Sequence, residues 1–226
     1  MTRPWTTLAT VATAEGPLEL RQRGADQFLI VIAGRILMTS TARRSEEALS
    51  RLALDELGRP AGRVLIGGLG MAFTLRAALD HLPPGASVVV AELTPAVADW
   101  CRGPLAALTA HALDDRRVRL ELGDVGVVVR RPPGRYDAII YDLYEGPYQR
   151  GGKVDPVFGP DGLAAAHRAL VDDGVFAVWG EDHDPRFAGR LEAAGFAARV
   201  VRQDGGGRQH VIYLGRKRRP AVSRRR

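Results

Sequence analysis

The chain has 226 residues, 46% of them apolar, which is enough for a continuous core in one large domain. The single cysteine, Cys101, excludes an intrachain disulfide and a cysteine-ligated metal cluster. The formal net charge is +6, but seven of the 32 Lys and Arg residues lie between Arg216 and Arg226. Residues 1–215 hold 25 basic and 26 acidic side chains, so a role in nucleic-acid binding is expected only for the basic tail.

The apolar runs are short. The run 28–33 is far below the roughly 20 residues that cross a bilayer. The N-terminus has no basic segment followed by an apolar one, so we expect no secretion signal. The predictions are therefore a cytoplasmic location and no membrane contact.

The first 42 residues predict a small N-terminal β-hairpin extension. The stretch 18–38 contains alternating and β-rich segments, with Gly34 and Arg35 marking a turn. Residues 43–57 then place apolar side chains at helical spacing, and Gly58 ends that pattern. This helix leads into a main domain that we predict to span residues 43–215, followed by a disordered basic tail over 216–226.

The main domain repeats one rhythm of strand and helix. Apolar strands are predicted at 63–67, 87–91, 118–122, 136–142 and 174–180, and helices at 72–82, 95–110, 161–171 and 185–194. This alternation is typical of a parallel sheet covered on both faces. Two final strands around the glycines at 205–207 predict a terminal antiparallel hairpin. The predicted fold class is α/β, with a mostly parallel seven-stranded sheet.

A glycine-rich loop directly follows strand 63–67. Glycines allow a sharp turn into a helix and let a ligand lie against backbone N–H groups. The next strand ends in an acid whose carboxylate can accept hydrogen bonds from both ribose hydroxyls. The residues predicted to bind an adenosyl group here are Gly68, Leu69, Gly70, Glu92 and Leu93.

A second acid follows a glycine after the next strand. Asp124, with Val125 beside it, is placed to take an adenine amino group. A nicotinamide dinucleotide uses a similar glycine loop and acid, but Phe73 stands where G-x-G-x-x-G has its third glycine. Asp124 and the terminal hairpin favour S-adenosylmethionine or its decarboxylated form as the cofactor.

Strand 136–142 delivers Asp142 to the edge of the sheet where ligands bind in such folds. A carboxylate there can accept N–H bonds from an amine, orient its lone pair and take its proton, so Asp142 is the predicted catalytic residue. Tyr144, Glu145 and Tyr148 follow it and are predicted to line a pocket for a small cationic amine or guanidine. The acidic stretch 181–184 lies in one short loop, and no metal site is predicted.

These motifs, in this order, resemble the spermidine synthase superfamily over roughly residues 18–215. The resemblance rests on residues 64–70 with 74–76, then on 90–93, on 115–118 with Gly123 and Asp124, and on 136–142. It implies that Glu92 binds the ribose, Asp124 the adenine and Asp142 the attacking amine. It also implies a Rossmann-like class I methyltransferase fold and a homodimer formed through the N-terminal hairpin.

Two differences from the sequence pattern of aminopropyltransferases affect which reaction is predicted. Met71 stands where aminopropyltransferases carry an aspartate that binds the amine of decarboxylated S-adenosylmethionine, and residues 44–47 replace their Tyr-His-Glu segment. Residues 70–72 and 140–144 are also similar to guanidinoacetate methyltransferase. On these grounds the sequence favours methyl transfer to an amine or guanidine nitrogen slightly over aminopropyl transfer. Two other hypotheses stay open: a nicotinamide-dependent oxidoreductase, and a non-catalytic adenosyl-binding protein tethered to nucleic acid by its tail.

Overall fold

The computed structural model describes residues 3–132, 135–144, 146–148, 154–203 and 209–218. Its strands are β1 (Thr6–Thr13), β2 (Gly16–Arg23), β3 (Gln27–Ile32), β4 (Arg35–Thr39), β5 (Arg63–Gly67), β6 (Ser87–Glu92), β7 (Val118–Leu122), β8 (Tyr136–Tyr141), β9 (Leu170–Gly180), β10 (Phe196–Gln203) and β11 (His210–Lys217). Its α-helices are α1 (Arg44–Leu57), α2 (Phe73–His81), α3 (Pro95–Arg102), α4 (Val125–Val128), α5 (Pro160–Ala169) and α6 (Phe187–Ala193). Among the described residues, no helix is long and apolar enough to cross a bilayer.

The main sheet has seven strands in the order β10-β11-β9-β8-β5-β6-β7. Strands β5 to β9 run parallel, β11 pairs antiparallel with β9, and β10 pairs antiparallel with β11. The predicted fold class is therefore confirmed, including the C-terminal hairpin. The central strands are apolar along their whole length because both faces of the sheet are covered. Residues 64–66 of β5, for example, are all buried.

The N-terminal region is larger than the hairpin that the sequence predicted. It is a four-stranded antiparallel sheet in the order β1-β2-β3-β4. Strand β1 was not predicted from the sequence. Its side chains are exposed or half-buried, so its residues lack a strong alternation of apolar and polar side chains. The buried side of the sheet, with Leu18, Leu20 and Phe28, joins the core that also contains α1 and α2.

Three boundaries differ from the predictions by three residues or more. The helix predicted over 95–110 ends at Arg102, where Gly103 and Pro104 interrupt it, and two short 3-10 helices follow. Strand β9 begins four residues earlier than predicted and contains Asp173 in a left-handed conformation, at φ 61°. Strand β11 runs to Lys217, so Arg216 and Lys217 belong to the sheet. The remainder of the predicted tail, 219–226, lies outside the described residues.

Candidate active site

The glycine loop after β5 is closely packed against the end of β8. Gly68 has φ 89°, and a β-carbon there would collide with the backbone oxygen of Asp142. Gly70 has φ 52° and faces the Met38 side chain of β4. Beneath the loop, Cys101 lies with its Sγ 3.2 Å from the Gly70 carbonyl oxygen. Positions 68 and 70 need glycine because backbone or side-chain atoms occupy the space a β-carbon would take.

Glu92 lies at the carboxyl end of β6 and holds the loop in place. Its Oε2 accepts a hydrogen bond from the Leu69 N–H at 2.9 Å, and its Oε1 accepts one from the Thr94 N–H at 2.8 Å. Burial raises the pKa of Glu92, and these backbone hydrogen bonds act in the opposite direction. Because each carboxylate oxygen can accept more than one hydrogen bond, Glu92 could still bind ribose hydroxyls.

Large apolar side chains are exposed next to Glu92. Leu93 is 72% exposed, and Leu122, the partner of Glu92 in the pairing of β6 with β7, is 54% exposed. Exposed apolar side chains beside polar groups are typical of a surface that receives a flat apolar ring. Asp124 caps α4, its Oδ1 accepting from the Gly126 N–H at 2.6 Å. Val125 is buried against Gly67, so only its backbone could meet a ligand.

These observations test whether an adenosyl group fits. The glycine loop follows β5, Glu92 ends the adjacent strand, and Leu93 and Leu122 stand on the same edge. The residues present therefore suit an adenosine moiety, with the ribose at Glu92 and the base near Asp124. A groove of about 530 Å³, lined among others by Arg63, Glu121 and Arg131, shares Leu122 with this edge and contains none of the residues that the sequence predicted for the site.

Asp142 follows β8 and belongs to a cluster that the sequence did not predict. Its Oδ2 accepts a hydrogen bond from the Thr74 hydroxyl at 2.5 Å. The Thr74 hydroxyl oxygen also lies 3.4 Å from the backbone oxygen of Glu46, at the start of α1. Thr74 thus connects the first turn of α2 both to the end of β8 and to α1.

Glu46 is a buried acid, only 6% exposed. Its Oε2 accepts from the Ser45 hydroxyl at 2.6 Å, and the Ser45 oxygen lies 2.8 Å from Nδ1 of His210, the first residue of β11. A buried carboxyl group is unfavourable unless it is hydrogen-bonded or protonated, so its position beside Asp142 is electrostatically costly.

The two acids influence each other. Loss of hydration, and then the negative charge of Glu46, raise the pKa of Asp142 to about 7, while the Thr74 hydrogen bond acts against them. Burial likewise raises the pKa of Glu46. A carboxylate whose pKa lies near ambient pH is suited to accept a proton from an amine and release it.

Trp179 lies beside Asp142 on the next strand. Tyr141 of β8 pairs with Val178 of β9, so the residues that follow them, Asp142 and Trp179, are also neighbours. Because side chains alternate along a strand, the side chains of Asp142 and Trp179 project from the sheet face opposite to those of Tyr141 and Val178. The indole ring of Trp179 packs edge-on against His210, with their centroids 4.9 Å apart. Its buried Nε1–H has no hydrogen-bond acceptor among the described residues.

The predicted substrate-binding residues are placed only in part. Tyr144 is 37% exposed, and the guanidinium carbon of Arg35, from β4, lies 4.4 Å from its ring centroid. Tyr148 is also exposed. Glu145 lies outside the described residues. The aromatic face of Tyr144 that was predicted to meet a cationic substrate is therefore in contact with an arginine of the chain itself.

Sequence reasoning missed Glu46, Thr74, Trp179, His210 and Arg35. Acids are common in the first turn of any helix, so Glu46 carried no special signal. Thr74 follows a loop that is recognised by its glycines, and those glycines indicate a backbone conformation rather than a role for a nearby side chain. Trp179, His210 and Arg35 come from strands remote in sequence, and only the tertiary fold brings them to this edge.

The model of the spermine/spermidine synthase domain family matches residues 44–184 of the chain. That range begins with α1 and ends after β9, so it contains Glu46, Thr74, Glu92, Asp124 and Asp142.

Two curated proteins show related sequences. A polyamine aminopropyltransferase of Clostridium tetani is 28% identical over 116 residues, which is 51% of this chain and 40% of that protein. Polyamine aminopropyltransferase 2 of Pseudomonas aeruginosa is 30% identical over 153 residues, or 65% of this chain and 43% of that protein. The chain thus spans only about two fifths of the length of these relatives.

Solved structures share the fold. A spermidine synthase in complex with the transition-state analogue AdoDATO superposes with a TM-score of 0.74 at 20% identity, covering 93% of this chain and 72% of that one. A spermidine synthase from Thermotoga maritima superposes with a TM-score of 0.73 at 20% identity and the same coverage. Because the family model matches more than half of the chain and includes both buried acids and the predicted donor site, the protein belongs to the spermine/spermidine synthase domain family.

Proposed function

We propose that the protein is an aminopropyltransferase that alkylates a nitrogen of a small amine, with decarboxylated S-adenosylmethionine as the donor. The observation that carries the proposal is the position of Asp142 at the sheet edge: its backbone packs against the glycine loop, and its carboxyl group accepts a hydrogen bond from Thr74 and has a pKa of about 7. The names of the curated relatives support aminopropyl transfer over the methyl transfer that the sequence favoured.

The donor would lie along the edge formed by β5, β6 and β7. Glu92 would hold the ribose, Leu93 and Leu122 would cover the base, and Asp124 would meet its amino group. When bound, the donor supplies a carbon activated by a sulfonium and leaves as 5′-methylthioadenosine. The chain provides the orientation of this donor and the disposal of one proton.

Asp142 would act on the acceptor. Its ionised carboxylate accepts an N–H bond, directs the nitrogen lone pair and receives the proton lost as the new N–C bond forms. Thr74 keeps the carboxylate in position, because its hydroxyl donates to Oδ2 and leaves Oδ1 for the amine. The negative charge of Glu46 increases the affinity of Asp142 for that proton.

Methyl transfer remains a second candidate because of one feature. Met71 is completely buried and its N–H lies 3.2 Å from the Met38 Sδ, so the glycine turn offers an apolar side chain where the resemblance would require an acid. Decarboxylated S-adenosylmethionine carries an ammonium group without a carboxylate, and Met71 offers that ammonium group no ionic partner.

Calorimetric titration tests these alternatives. The purified protein is titrated separately with decarboxylated S-adenosylmethionine, S-adenosylmethionine, 5′-methylthioadenosine and NAD. Tighter binding of the decarboxylated donor, together with release of 5′-methylthioadenosine when an amine is added, is the expected result. Preference for S-adenosylmethionine would make the protein a methyltransferase. Binding of NAD alone would overturn both candidates, and adenosyl binding without turnover on any amine would indicate a non-catalytic binding protein.

A further inference from the structure

A groove beside β7, the last strand of the main sheet, has no part in the proposed transfer reaction. Its volume of about 530 Å³ is within the range of pockets that hold small molecules. Arg119, Glu121 and Leu122 of β7 line this groove, together with Arg131 and Pro132, which follow α4. Only Leu122 is shared with the edge where the donor would bind, so the groove can receive a ligand of its own.

Positive side chains outnumber acidic ones in this groove. Arg119 and Glu121 are two residues apart on β7, so their side chains lie on the same face of the strand, where they form an ion pair. Arg131 donates to the other carboxylate oxygen of Glu121, Oε2, at 2.8 Å. Two guanidinium groups therefore share one carboxylate, and one positive charge is in excess.

The two arginines are more accessible to solvent than the acid that they share. The side chains of Arg119 and Arg131 are 66% and 56% exposed, whereas that of Glu121 is 15% exposed. A guanidinium group has five N–H donors, and a contact with one carboxylate oxygen uses only part of this set. Both arginines can therefore bind an anion from the solvent while they still contact Glu121.

Tyr136 of β8 shows that further charged side chains converge on the same groove. The guanidinium carbon of Arg63, from β5, lies 5.0 Å from the centroid of its ring. Burial raises the pKa of Tyr136, the charges of Arg63 and Arg119 lower it, and that of Glu121 raises it. Such effects weaken with distance, so these charged groups lie near the Tyr136 side chain. Arg63 adds a third positive charge, although Arg119 and Arg131 alone already outnumber Glu121.

We propose that this groove binds a small ligand that carries two or more phosphate groups, with the phosphates at Arg119 and Arg131. Guanidinium groups match phosphate oxygens in geometry and can donate two parallel hydrogen bonds to them. Leu122 and Pro132, both exposed, offer an apolar surface to the rest of the ligand. Because the arginines converge on one carboxylate instead of forming a stripe across a face, the arrangement favours a compact ligand over a nucleic-acid strand.

Calorimetry on the full chain tests the proposal with tripolyphosphate, UTP and uridine as probes. 5′-Methylthioadenosine is present to fill the donor site, and salt at about 0.15 M screens exposed charges. We expect tripolyphosphate and UTP to bind with dissociation constants below about 1 mM, and uridine not to bind. Tighter binding of UTP than of tripolyphosphate would identify a nucleotide as the ligand, and equal binding a free oligophosphate. Both results support the site.

Two sets of substitutions should change the affinity in opposite directions. Arg119→Gln combined with Arg131→Gln should weaken tripolyphosphate binding at least about tenfold, because both guanidinium groups are lost. Glu121→Gln should strengthen it about threefold, because the groove loses its negative charge and the arginines lose a competing ionic partner. Damage to the fold would weaken binding in every variant, so a gain in Glu121→Gln separates recognition from structural disturbance.

The matched control is Arg199→Gln. Arg199 lies on β10, at the opposite edge of the main sheet, and its 52% exposed side chain pairs with Glu56 at 2.7 Å. This substitution removes an arginine of similar exposure and pairing, and it should leave tripolyphosphate binding unchanged. If the double variant also binds tripolyphosphate as the unaltered protein does, the phosphates bind another basic segment, such as residues 216–226, and the proposal fails.

Three other results would overturn the proposal. The first is the absence of tripolyphosphate and UTP binding. The second is binding that occurs only without 5′-methylthioadenosine, which would place the phosphates in the donor site. The third is tighter binding of a short single-stranded RNA than of UTP, lost in the double variant, which would make the groove part of a nucleic-acid surface. None of these results affects the proposed aminopropyl transfer, which is tested separately by release of 5′-methylthioadenosine.

Discussion

The two halves of the candidate site are built in different ways. The donor half consists of the glycine loop, Glu92, Asp124 and their exposed leucine neighbours, each located at or just after the carboxyl end of one of three adjacent parallel strands. The acceptor half draws Glu46, Thr74, Asp142, Trp179 and Arg35 from two helices, two strands of the main sheet and a separate N-terminal sheet.

This difference explains which half can be adapted without loss of the fold. The donor residues also shape the backbone: Glu92 binds the loop N–H of Leu69, and Asp124 caps α4. The acceptor residues interact mainly through side chains that arrive from remote elements. Substitutions in the acceptor half should therefore alter chemistry and selectivity, whereas substitutions in the donor half should alter binding and stability together.

The largest effect is expected for Asp142→Asn. The amide cannot accept the proton of the amine, so turnover should fall at least about 100-fold while donor affinity changes less than about threefold. Steady-state kinetics and calorimetry measure the two quantities. Glu92→Gln is the contrasting variant: it should weaken donor binding about tenfold, because the amide has one acceptor oxygen for two backbone N–H groups. Equal losses of turnover and donor affinity in Asp142→Asn would place Asp142 in the donor half.

Gly68→Ala tests the backbone contact between the two halves. The new β-carbon would meet the Asp142 backbone oxygen, and the residue has φ 89°, so we expect the free energy of unfolding to fall by about 3 kcal/mol. Gly24→Ala is the control, since Gly24 has φ 66° and no heavy atom lies within 4 Å of the position that a β-carbon would take. This control should cost about 1 kcal/mol. Urea denaturation gives both values. Equal losses in the two variants would show that the close approach to Asp142 is unimportant for stability.

The smallest effect is expected for Glu46→Gln, and it appears in the pH dependence. Asp142 must be ionised to accept a proton, so with a pKa of about 7 its activity falls as the pH drops below 7. Removal of the Glu46 charge lowers the pKa of Asp142, so the acid limb of kcat/KM should move to lower pH. About one tenth of Asp142 is ionised at pH 6 in the original protein, so activity at pH 6 relative to pH 8 should rise by up to about tenfold.

Glu47→Gln controls for the loss of an acid in the same helix turn. The Glu47 side chain is 40% exposed and pairs with Arg43 at 3.1 Å, away from Asp142. The Glu47→Gln substitution should leave the pH dependence of kcat/KM nearly unchanged. An acid limb that stays in place in Glu46→Gln would mean that the two buried acids act independently.

The chain's sequence determined the architecture and the donor half. The spacing of apolar residues depends only on local structure, so the alternation of strands and helices could be predicted from the sequence. That alternation correctly predicted the main sheet. Glu92 and Asp124 were readable for the same reason: the carboxyl ends of parallel strands meet at one edge, so an acid after each strand is placed there by topology alone.

Tertiary structure decided the surroundings of Asp142 in the acceptor half, although the sequence had predicted Asp142 itself. Residues 46, 74 and 142 are far apart in sequence, and their electrostatic coupling depends on distances that no local pattern specifies. The same holds for Arg35 of β4, which reaches the Tyr144 ring from the separate N-terminal sheet. A side chain's charge can be read from the sequence, but its effect on a neighbour depends on distance and burial, and both arise only when the chain is packed.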